Sequence, residues 1–386
     1  MVRVACVMME RDEDDLLAPW LLYHGYLFGF ENLYVFDNGS SSSVTLEVIR
    51  RFQKVGVNFD FSLSEPRDYE AKGRATQDKI NSLHDSGKYD MYFPLDCDEF
   101  VVVHGTEGLT CCRNEIMAVL EAVAKPRGVR VVVAPLFNVP GYPSEFYFLG
   151  QQKVFFAGGG VGHLEHGNHH GGIPGADHPR RSMITYLHFH NRTFPALRKH
   201  ALTKLANRVD VNDKEKLLSY TGHGDHLVNY FKMSERDYVA SFAARDTVDL
   251  PEFLDLLDAL GCGRDIRRAT YADTAGIERT GVVVSARIDR AGYWAANPDV
   301  AAHETPPLQH YVRHGRRERR RLKPNAPPAA APTAPSAPPA AAPAGAAAPA
   351  VAIVPAVAPP PAAPPAAAAT APVMAAPAVA PAPAQA

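Results

Sequence analysis

Hydrophobic and polar positions form two alternating patterns along the first part of the chain. Short runs rich in apolar, β-branched and aromatic residues occupy residues 2–9, 32–36 and 57–61, which predicts strands. Residues 16–28 and 44–55 instead place apolar side chains at helical spacing, which predicts helices between those strands. A regular alternation of strands and helices indicates an α/β fold in which helices cover a parallel-rich sheet.

Three carboxylates interrupt an otherwise apolar stretch. Asp96, Asp98 and Glu99 stand between apolar runs at residues 91–95 and 100–103, so they lie at a junction between two predicted strands. Unpaired carboxylates near a core are costly, and a divalent cation offsets that cost because Mg²⁺ and Mn²⁺ prefer carboxylate oxygens. In an extended chain Asp96 and Asp98 point the same way, so we expect both to face one metal ion or a diphosphate. The simpler alternative is an acidic turn between strands.

Acidic residues also follow the first two predicted strands. Glu13 comes after the first strand, and Asp37 opens the turn that ends the second. Ligands bind beyond the carboxyl ends of parallel strands, so we expect these acids to line one rim together with Asp96 and Asp98. Arg74, on the helix before the acidic stretch, is a candidate for the diphosphate because guanidinium groups suit phosphate oxygens. A solvated helix face is an equal alternative.

Histidines are concentrated in the middle of the chain. Residues 162–172 are rich in glycine and histidine and follow no regular period, which predicts a loop that carries ligands. Their spacing is not that of a closed zinc site, and no cysteine is near. The predicted strand at residues 183–187 leads into His188 and His190. This segment and the acidic pair are candidates to share one metal ion, unless one of the two histidines is a core residue.

The end of the chain has a different composition. Residues 325–386 are almost entirely alanine and proline and carry no charged side chain. Proline interrupts helices, and so few large apolar side chains cannot form a core, which predicts a disordered tail. We therefore expect an α/β domain at residues 1–232 and a helical accessory region at residues 233–324, followed by that tail.

Charge, cysteine content and hydropathy narrow the class of protein. The formal net charge is −2 at pH 7, which does not favour nucleic-acid binding. The 5 cysteines are scattered, as in proteins of a reducing compartment, and neither a signal peptide nor a bilayer-spanning run is evident, so we expect a cytoplasmic protein. The basic run at residues 313–323, from Arg313 to Lys323, is a candidate for contact with the inner face of a membrane. A solvated end is the simpler interpretation.

Taken in order, four segments of the chain resemble glycosyltransferases of the family-2-like group, in particular the family-92 enzymes. The resemblance runs from about residue 2 to about residue 205. Each motif is common by itself, and the ordered set is more specific. The segments are Met9-Glu10-Arg11-Asp12-Glu13, Tyr34-Val35-Phe36-Asp37-Asn38-Gly39-Ser40, Asp96-Cys97-Asp98-Glu99-Phe100 and His188-Phe189-His190-Asn191-Arg192.

The resemblance implies a GT-A fold, a nucleoside-diphosphate-sugar donor, a hydroxyl acceptor and a divalent metal ion, Mn²⁺ or Mg²⁺. Carried over by position, Glu13 and Asp37 would contact the nucleoside. Asp96 would contact metal, ribose and diphosphate. The resemblance further implies metal or phosphate contacts from Asp98, His188, His190 and Arg192.

An inverting transferase needs a general base for the acceptor hydroxyl. Glu165, Asp177 and Asp225 are candidates in the region expected to face the acceptor. We favour Glu165 because it lies between His163 and His166, where a cation would keep its carboxylate ionised.

We therefore expect a metal-dependent glycosyltransferase that moves a hexose from a nucleoside-diphosphate sugar to a hydroxyl, with cell-surface polysaccharide as a candidate acceptor. A nucleotidyltransferase is one alternative, but its first loop is normally glycine-rich and basic, whereas residues 12–15 are acidic. A non-catalytic glycan- or nucleotide-sugar-binding protein on a degenerate transferase fold would explain Arg11, Asp12 and Ser42, where the family has lysine, asparagine and aspartate. A histidine-rich metal-binding module is the third alternative.

Overall fold

The computed structural model describes residues 1–206, 208–222 and 224–324, so the predicted tail at residues 325–386 lies outside the described residues. The strands are β1 (Val4–Glu10), β2 (Leu33–Asp37), β3 (Asn58–Asp60), β4 (Met91–Pro94), β5 (Glu99–His104), β6 (Leu109–Thr110), β7 (Gly128–Val133), β8 (Leu136–Val139), β9 (Tyr142–Phe148), β10 (Gln152–Ala157), β11 (His163–Leu164), β12 (Gly171–Gly172), β13 (Arg180–Arg181), β14 (Ile184–His188), β15 (Thr247–Asp249) and β16 (Val283–Ser285). The α-helices are α1 (Leu17–Phe28), α2 (Ser43–Gln53), α3 (Lys72–Asp85), α4 (Arg113–Val123), α5 (Phe194–Leu205), α6 (Lys214–Ser219), α7 (Asn229–Lys232), α8 (Glu235–Ala240), α9 (Pro251–Ala259), α10 (Gly263–Ala269), α11 (Arg290–Ala296), α12 (Pro298–Ala302) and α13 (Pro307–His310). Short 3₁₀ or π segments lie at Phe30–Asn32, Pro66–Ala71, Asp225–Val228 and Tyr311–Gly315.

These strands form two large sheets and one small hairpin. In the first sheet the order is β13-β7-β10-β4-β1-β2-β3, and β4, β1, β2 and β3 run parallel to one another. In the second sheet the order is β16-β15-β9-β8-β14-β5-β6. Strands β4 and β5 are consecutive but lie in different sheets, so the chain crosses between the sheets at residues 95–98. The acidic residues lie at this crossing, at the strand junction that the sequence predicts.

Helices cover both faces of the first sheet because its central strand is apolar on both sides. Every residue of β1 is buried. Its residues Val4, Cys6 and Met8 pack in one cluster with α1 and α2, whereas Val7 packs in another with Ile80 of α3. A strand buried on both faces requires the continuous apolar run seen in the sequence. This three-layer α/β/α arrangement confirms the predicted fold class.

The region after residue 232 contains short helices, as expected, and also two strands. Strands β15 and β16 extend the second sheet beyond β9. Phe253 of α9 and Tyr293 of α11 belong to the same buried cluster as the apolar face of α1. The two sides of the predicted boundary at residues 232 and 233 therefore share a core, and the boundary itself stays a prediction.

The basic run at residues 313–323 is partly neutralised within the fold. Arg316 pairs with Asp246 at 2.9 Å, and Arg320 pairs with Asp299 at 2.8 Å. These ion pairs neutralise two of the arginines that would otherwise attract an anionic lipid surface. Membrane contact through this run stays a prediction. Within the described residues, no helix is both long enough and apolar enough to cross a membrane.

The segment rich in glycine and histidine is more regular than its pattern indicates. Strands β11 and β12 pair as an antiparallel hairpin in place of the irregular loop expected from the sequence. The hairpin packs directly on the start of α3: a Cβ at Gly73 would lie 2.6 Å from the carbonyl oxygen of Leu164. A glycine is required at that position because the two backbones approach so closely.

We expect His104→Leu to reduce the loss of stability at acid pH. His104, at the end of β5, is buried, no described residue hydrogen-bonds either ring nitrogen, and burial lowers its pKa to about 3. Below about pH 6.5 the unfolded chain takes up a proton here and the folded protein does not, so stability is lost as pH falls through that window. Removing the imidazole should remove up to about 1.4 kcal/mol per pH unit of this slope.

Chemical denaturation of the wild type and the variant at pH 5 and pH 8 measures the effect. Comparing the two pH values cancels any change in packing, which acts at both. The exposed His303, changed to leucine, is the matched control and should keep the slope of the wild type. An unchanged slope in His104→Leu would show that this histidine is protonated in the folded state.

Candidate active site

The crossing between the two sheets is a tight turn, which we call the acidic turn (residues 95–98). The backbone N–H of Asp96 donates to the Glu99 carboxylate at 2.9 Å, and the N–H of Glu99 donates to the Asp96 carbonyl oxygen at 3.1 Å. The chain is not extended here, and Asp96 and Asp98 contact different sets of partners. The expectation that both face one metal ion stays a prediction.

Asp96 is neutralised by two buried lysines, Lys72 of α3 and Lys153 of β10, which we call the lysine pair. Both lysine side chains are only 5% exposed, whereas that of Asp96 is 29% exposed. Lys72 Nζ contacts Asp96 Oδ1, and Lys153 Nζ lies 2.5 Å from Asp96 Oδ2 and 2.6 Å from Glu99 Oε1. Burial alone would raise the pKa of Asp96, but Lys153 and Lys72 outweigh it and hold the pKa below its usual range.

The lysine pair was not among the site residues expected from the sequence. Lys153 lies within the apolar run of β10, and a lysine inside a buried strand was a signal that a carboxylate partner lies nearby. Lys72 begins the helix on which Arg74 was expected to reach the diphosphate. Arg74 instead lies on the exposed side of that helix, 3.6 Å from Asp78.

Asp98 faces two histidines, and we call Asp98, His188 and His190 the ligand triad. The antiparallel register of β5 and β14 pairs Glu99 with His188, which brings the end of β14 to the acidic turn. One ligand atom from each member of the ligand triad lies within 4.8 Å of the other two. His188 Nε2 is 3.3 Å from Asp98 Oδ1.

The charges around the ligand triad shift its protonation. Burial alone would raise the pKa of Asp98, but His188 and Arg192 outweigh it and hold the pKa well below its usual range. Burial alone would lower the pKa of His188, but Asp98 raises it. Desolvation of its ring, reinforced by His188, lowers the pKa of His190 to about 4, although the residue as a whole is exposed to solvent. Its imidazole is available as a ligand at neutral pH.

These residues fit a divalent cation. A carboxylate and two imidazoles form a compact set of one oxygen and two nitrogen ligands. Such a set suits Mn²⁺ or Zn²⁺ better than Mg²⁺, which prefers oxygen ligands alone. Three protein ligands also leave coordination positions open for a substrate.

Arg192 connects the ligand triad to the loop after β1. Its Nη1 donates to Glu13 Oε2 at 2.6 Å, and its Nη2 lies 3.9 Å from Asp98 Oδ2. The predicted rim is therefore present at this end of the sheet, with Glu13 and Asp98 on either side of one guanidinium. Arg192 engages one oxygen of the Glu13 carboxylate, and the remaining acceptor sites of that carboxylate are not used by this contact.

Asp37 lies beside a second buried acid, Glu10, that the sequence did not single out. The two residues are paired in the register of β1 and β2. Asp37 accepts a hydrogen bond from the backbone N–H of Ser40 at 3.2 Å. Glu10 is 3% exposed, and burial, followed by its hydrogen bond with Asp37, raises its pKa to about 9. The Glu10 carboxyl group therefore keeps its proton at neutral pH.

The residues that depart from the family pattern have a local structural role. Asp12 Oδ1 accepts hydrogen bonds from the backbone N–H groups of Ser41 and Ser42, both at 2.7 Å. Asp12 thereby fixes the loop that begins α2, as an N-terminal cap does.

The candidate general base, Glu165, lies on the surface. It is exposed in the hairpin that covers the start of α3. The neighbouring ring of His166 packs edge-on against Tyr69 at 4.7 Å. Of the other two candidates, Asp177 pairs with Arg180 at 3.0 Å, and Asp225 begins a 3₁₀ turn. The structure brings together Glu13, Asp96, Asp98, His188, His190 and Arg192 and leaves Arg74 and Glu165 exposed.

Comparisons with known proteins give distant likenesses only. No protein-family model matches the chain, and no curated protein matches it. Among solved structures, S. aureus TarS 1–349 in complex with UDP is 9% identical, with 82% of this chain and 92% of that chain covered and a TM-score of 0.28. For another S. aureus TarS structure the coverage is 62% of this chain and 43% of that chain, with a TM-score of 0.29 at 9% identity.

A third solved structure is core-mannan synthase A (CmsA/Ktr4) from Aspergillus fumigatus in its Mn/GDP form. It is 11% identical, with 74% of this chain and 73% of that chain covered and a TM-score of 0.23. At this identity and at TM-scores this low the likenesses have no bearing on function. The family-2-like and family-92 resemblance of the sequence therefore stays a prediction.

We expect Glu10→Gln to be more stable than the wild type at alkaline pH. The folded protein keeps the Glu10 proton up to about pH 9, whereas the unfolded chain releases it near the ordinary pKa of 4.5, so stability falls as pH rises through that window. A glutamine amide donates to Asp37 without titrating. The variant should therefore lack up to about 1.4 kcal/mol per pH unit of this decline.

Denaturation midpoints at pH 5 and pH 8 give the slopes. Glu47→Gln, at an exposed position on α2, is the matched control and should follow the wild type. If Glu10→Gln followed the wild type as well, Glu10 would be ionised in the folded protein. The prediction that it keeps its proton there would then be wrong.

Proposed function

We propose that this protein is a metal-dependent glycosyltransferase that uses a nucleoside-diphosphate sugar. One observation carries the proposal: the ligand triad, a compact cation site, lies at the end of the sheet to which β1, β2 and β4 deliver Glu13, Asp37 and Asp96. Ligands of α/β sheets bind beyond the carboxyl ends of the parallel strands. The arrangement suits a substrate with a nucleoside at one end, a diphosphate in the middle and a sugar beyond it.

The roles of individual residues follow from their chemistry. Glu13, after β1, and Asp37, at the end of β2, would accept hydrogen bonds from the nucleoside, because carboxylate oxygens are acceptors for hydroxyl and base N–H groups. Arg192 would contact the diphosphate through the part of its guanidinium that Glu13 does not use. When bound, a divalent ion on the ligand triad would stabilise the negative charge of the leaving diphosphate.

The chemistry of the ligand triad favours Mn²⁺ over Mg²⁺ within this proposal. Two of the three ligand groups are imidazoles, and Mg²⁺ is usually held by carboxylates and water. The acceptor is proposed to be a hydroxyl of a glycan, with Glu165 as candidate base. A base on an exposed loop would reach the acceptor only when substrate is bound, so Glu165 stays a proposal that rests on its position between His163 and His166. Cytoplasmic location likewise stays a prediction.

A non-catalytic protein that binds nucleotide sugars or glycans is the second candidate. The observation that favours it is that Glu13 and Asp96, two of the residues expected to bind the donor, already have cationic partners. Such a protein would bind the nucleoside diphosphate without hydrolysing a nucleotide sugar. Both candidates therefore bind a nucleoside diphosphate, and only the transferase turns over a nucleotide sugar.

We expect nucleoside diphosphates to raise the melting temperature of the wild type only in the presence of Mn²⁺. A ligand that binds the folded state at about 100 times its Kd stabilises it by about 2.7 kcal/mol. UDP and GDP, each with and without Mn²⁺, form the panel. Asp98→Asn, which removes the carboxylate from the ligand triad, should lose the shift.

Asp78→Asn, at an exposed acid on α3, is the control and should retain the full shift. A second assay distinguishes the two candidates. Slow hydrolysis of a nucleotide sugar by the wild type in the presence of Mn²⁺ is expected of the transferase and not of the binding protein. A wild type that is stabilised by none of these nucleotides under any metal condition would contradict both candidates.

A further inference from the structure

The loop between β11 and β12, residues 165–170, is anchored to the first sheet, and we call it the histidine loop. The carbonyl oxygen of Asn168 accepts a hydrogen bond from the backbone N–H of Val154 at 2.9 Å. His169 Nδ1 lies 2.7 Å from the carbonyl oxygen of Gln152. Both contacts are made to the first residues of β10, so the position of the loop is fixed by the sheet and not by the hairpin alone.

His166 is held near the acidic turn. A Cβ at Gly73 would lie 3.0 Å from the backbone nitrogen of His166, so the loop rests on the start of α3 beside Lys72. The imidazole packs edge-on against Tyr69 at 4.7 Å, and Lys72 Nζ lies 5.9 Å from the centre of the same tyrosine ring. That ammonium group contacts Asp96. One aromatic ring therefore separates the imidazole from the cation that neutralises the acidic turn.

The order of strands places the histidine loop beyond the region proposed for the nucleoside and the diphosphate. In the first sheet β2, β1, β4 and β10 are neighbours in that order. Asp37 ends β2, the acidic turn follows β4, and the histidine loop is anchored to β10. A donor with its nucleoside at β2 and its diphosphate at the acidic turn would direct its sugar toward the histidine loop. The acceptor hydroxyl would meet the sugar there.

The surroundings of His166 favour its neutral form. Desolvation, reinforced by Lys72, lowers the pKa of His166. Three carboxylates, those of Glu70, Asp96 and Glu165, act in the opposite direction and are outweighed. Nδ1 is buried and has no hydrogen-bond partner among the described residues, so a protonated ring would leave an N–H group without an acceptor. The residue is half-buried, so part of it stays open to a substrate.

We propose that His166 is the general base that removes the proton from the acceptor hydroxyl. The proposal rests on the proposed function and assigns the role to His166 in place of Glu165, which is exposed on the same loop. In the transfer step the acceptor oxygen forms a bond to the anomeric carbon of the donor sugar, while the bond from that carbon to the β-phosphate oxygen breaks. The acceptor proton moves to the imidazole and then to solvent, and the nucleoside diphosphate leaves with the bonding electron pair.

Hydrolysis of nucleotide sugars by the full chain with Mn²⁺, in which water is the acceptor, tests the proposal. UDP-glucose, UDP-N-acetylglucosamine and GDP-mannose are the donors. His166→Ala should lower kcat by about 100-fold or more, because general-base catalysis typically contributes at least that much. Added imidazole should restore about tenfold of the lost rate, since it supplies the missing base. The variant should keep the shift in melting temperature that UDP or GDP gives with Mn²⁺, which shows that it is folded and binds the donor.

The pH profile supplies a readout that a purely structural role would not change. In the wild type, kcat should fall by about tenfold per pH unit at pH values below the lowered pKa of His166, because a protonated imidazole cannot accept a proton. This acid limb should be absent from His166→Ala and should return with added imidazole. The metal site is the same in both proteins, so its own titration cancels in the comparison. His178→Ala, at an exposed histidine shortly after the hairpin, is the matched control and should keep the rate and the profile of the wild type.

The outcomes separate this proposal from the proposed function. If His166→Ala kept the rate of the wild type, or lost rate while keeping the acid limb or resisting imidazole, the base would be wrongly assigned and the transferase would stand. If Glu165→Gln removed the acid limb and His166→Ala did not, Glu165 would be the base. If the wild type bound UDP or GDP with Mn²⁺ and hydrolysed none of the three donors, the assignment of a base would fail together with the transferase.

Discussion

The neutralisation of the acidic turn is the constraint on which the rest of the site depends. Four carboxylates meet where the chain crosses between the two sheets. Three permanent cations, Lys72, Lys153 and Arg192, lie among them, so the charges do not balance without one further proton or cation. Asp98 raises the pKa of His188, and burial raises the pKa of Glu99, and both shifts favour that extra proton. The carboxylates are those of Glu13, Asp96, Asp98 and Glu99. A divalent ion on the ligand triad would offset this excess negative charge and leave one unit of positive charge for an anionic ligand.

The topology explains why these groups meet at one place. Strands β1, β2 and β4 are parallel, so their carboxyl ends deliver Glu10, Asp37 and the acidic turn to one edge of the first sheet. Strand β5 continues from that turn in the second sheet, and its partner β14 ends with His188 opposite Glu99. Strand β10 pairs antiparallel with β4 and carries Lys153, which contacts Asp96 of the turn. The partners of the acidic turn therefore come from α3, from β10, and from β14 with the segment that follows it.

The sequence could predict the elements whose pattern is local and not the partners that are distant. The apolar run of β1 and the helical spacing of α1 and α2 are set by burial within each segment, and these elements formed as expected. The acids of the turn could be recognised because the flanking runs are apolar. The lysine pair could not be assigned, because Lys153 is 57 residues from Asp96 along the chain and nothing in the local pattern links them.

The same limit explains why cations from the chain were overlooked as partners for Asp96. An isolated carboxylate near a core has two ways to avoid an uncompensated charge, an ion from solution or a cation from the chain itself. Local sequence reasoning sees the carboxylate and infers the ion. The structure shows cations from the chain at Asp96, and two residues further on it places a carboxylate and two imidazoles close together at Asp98.

Stability alone does not account for this cluster. Replacing a buried ion-pair network with well-packed apolar residues is often neutral or stabilising by about 1–4 kcal/mol, because the charges must be taken out of water. The fold around the turn already has an extensive apolar core, in which Phe93, Phe100 and Phe155 pack close by. A core of that kind would close over apolar side chains at the same positions. The acids, lysines and histidines at the crossing are therefore better explained by a charged or hydroxylated ligand that this end of the sheet binds.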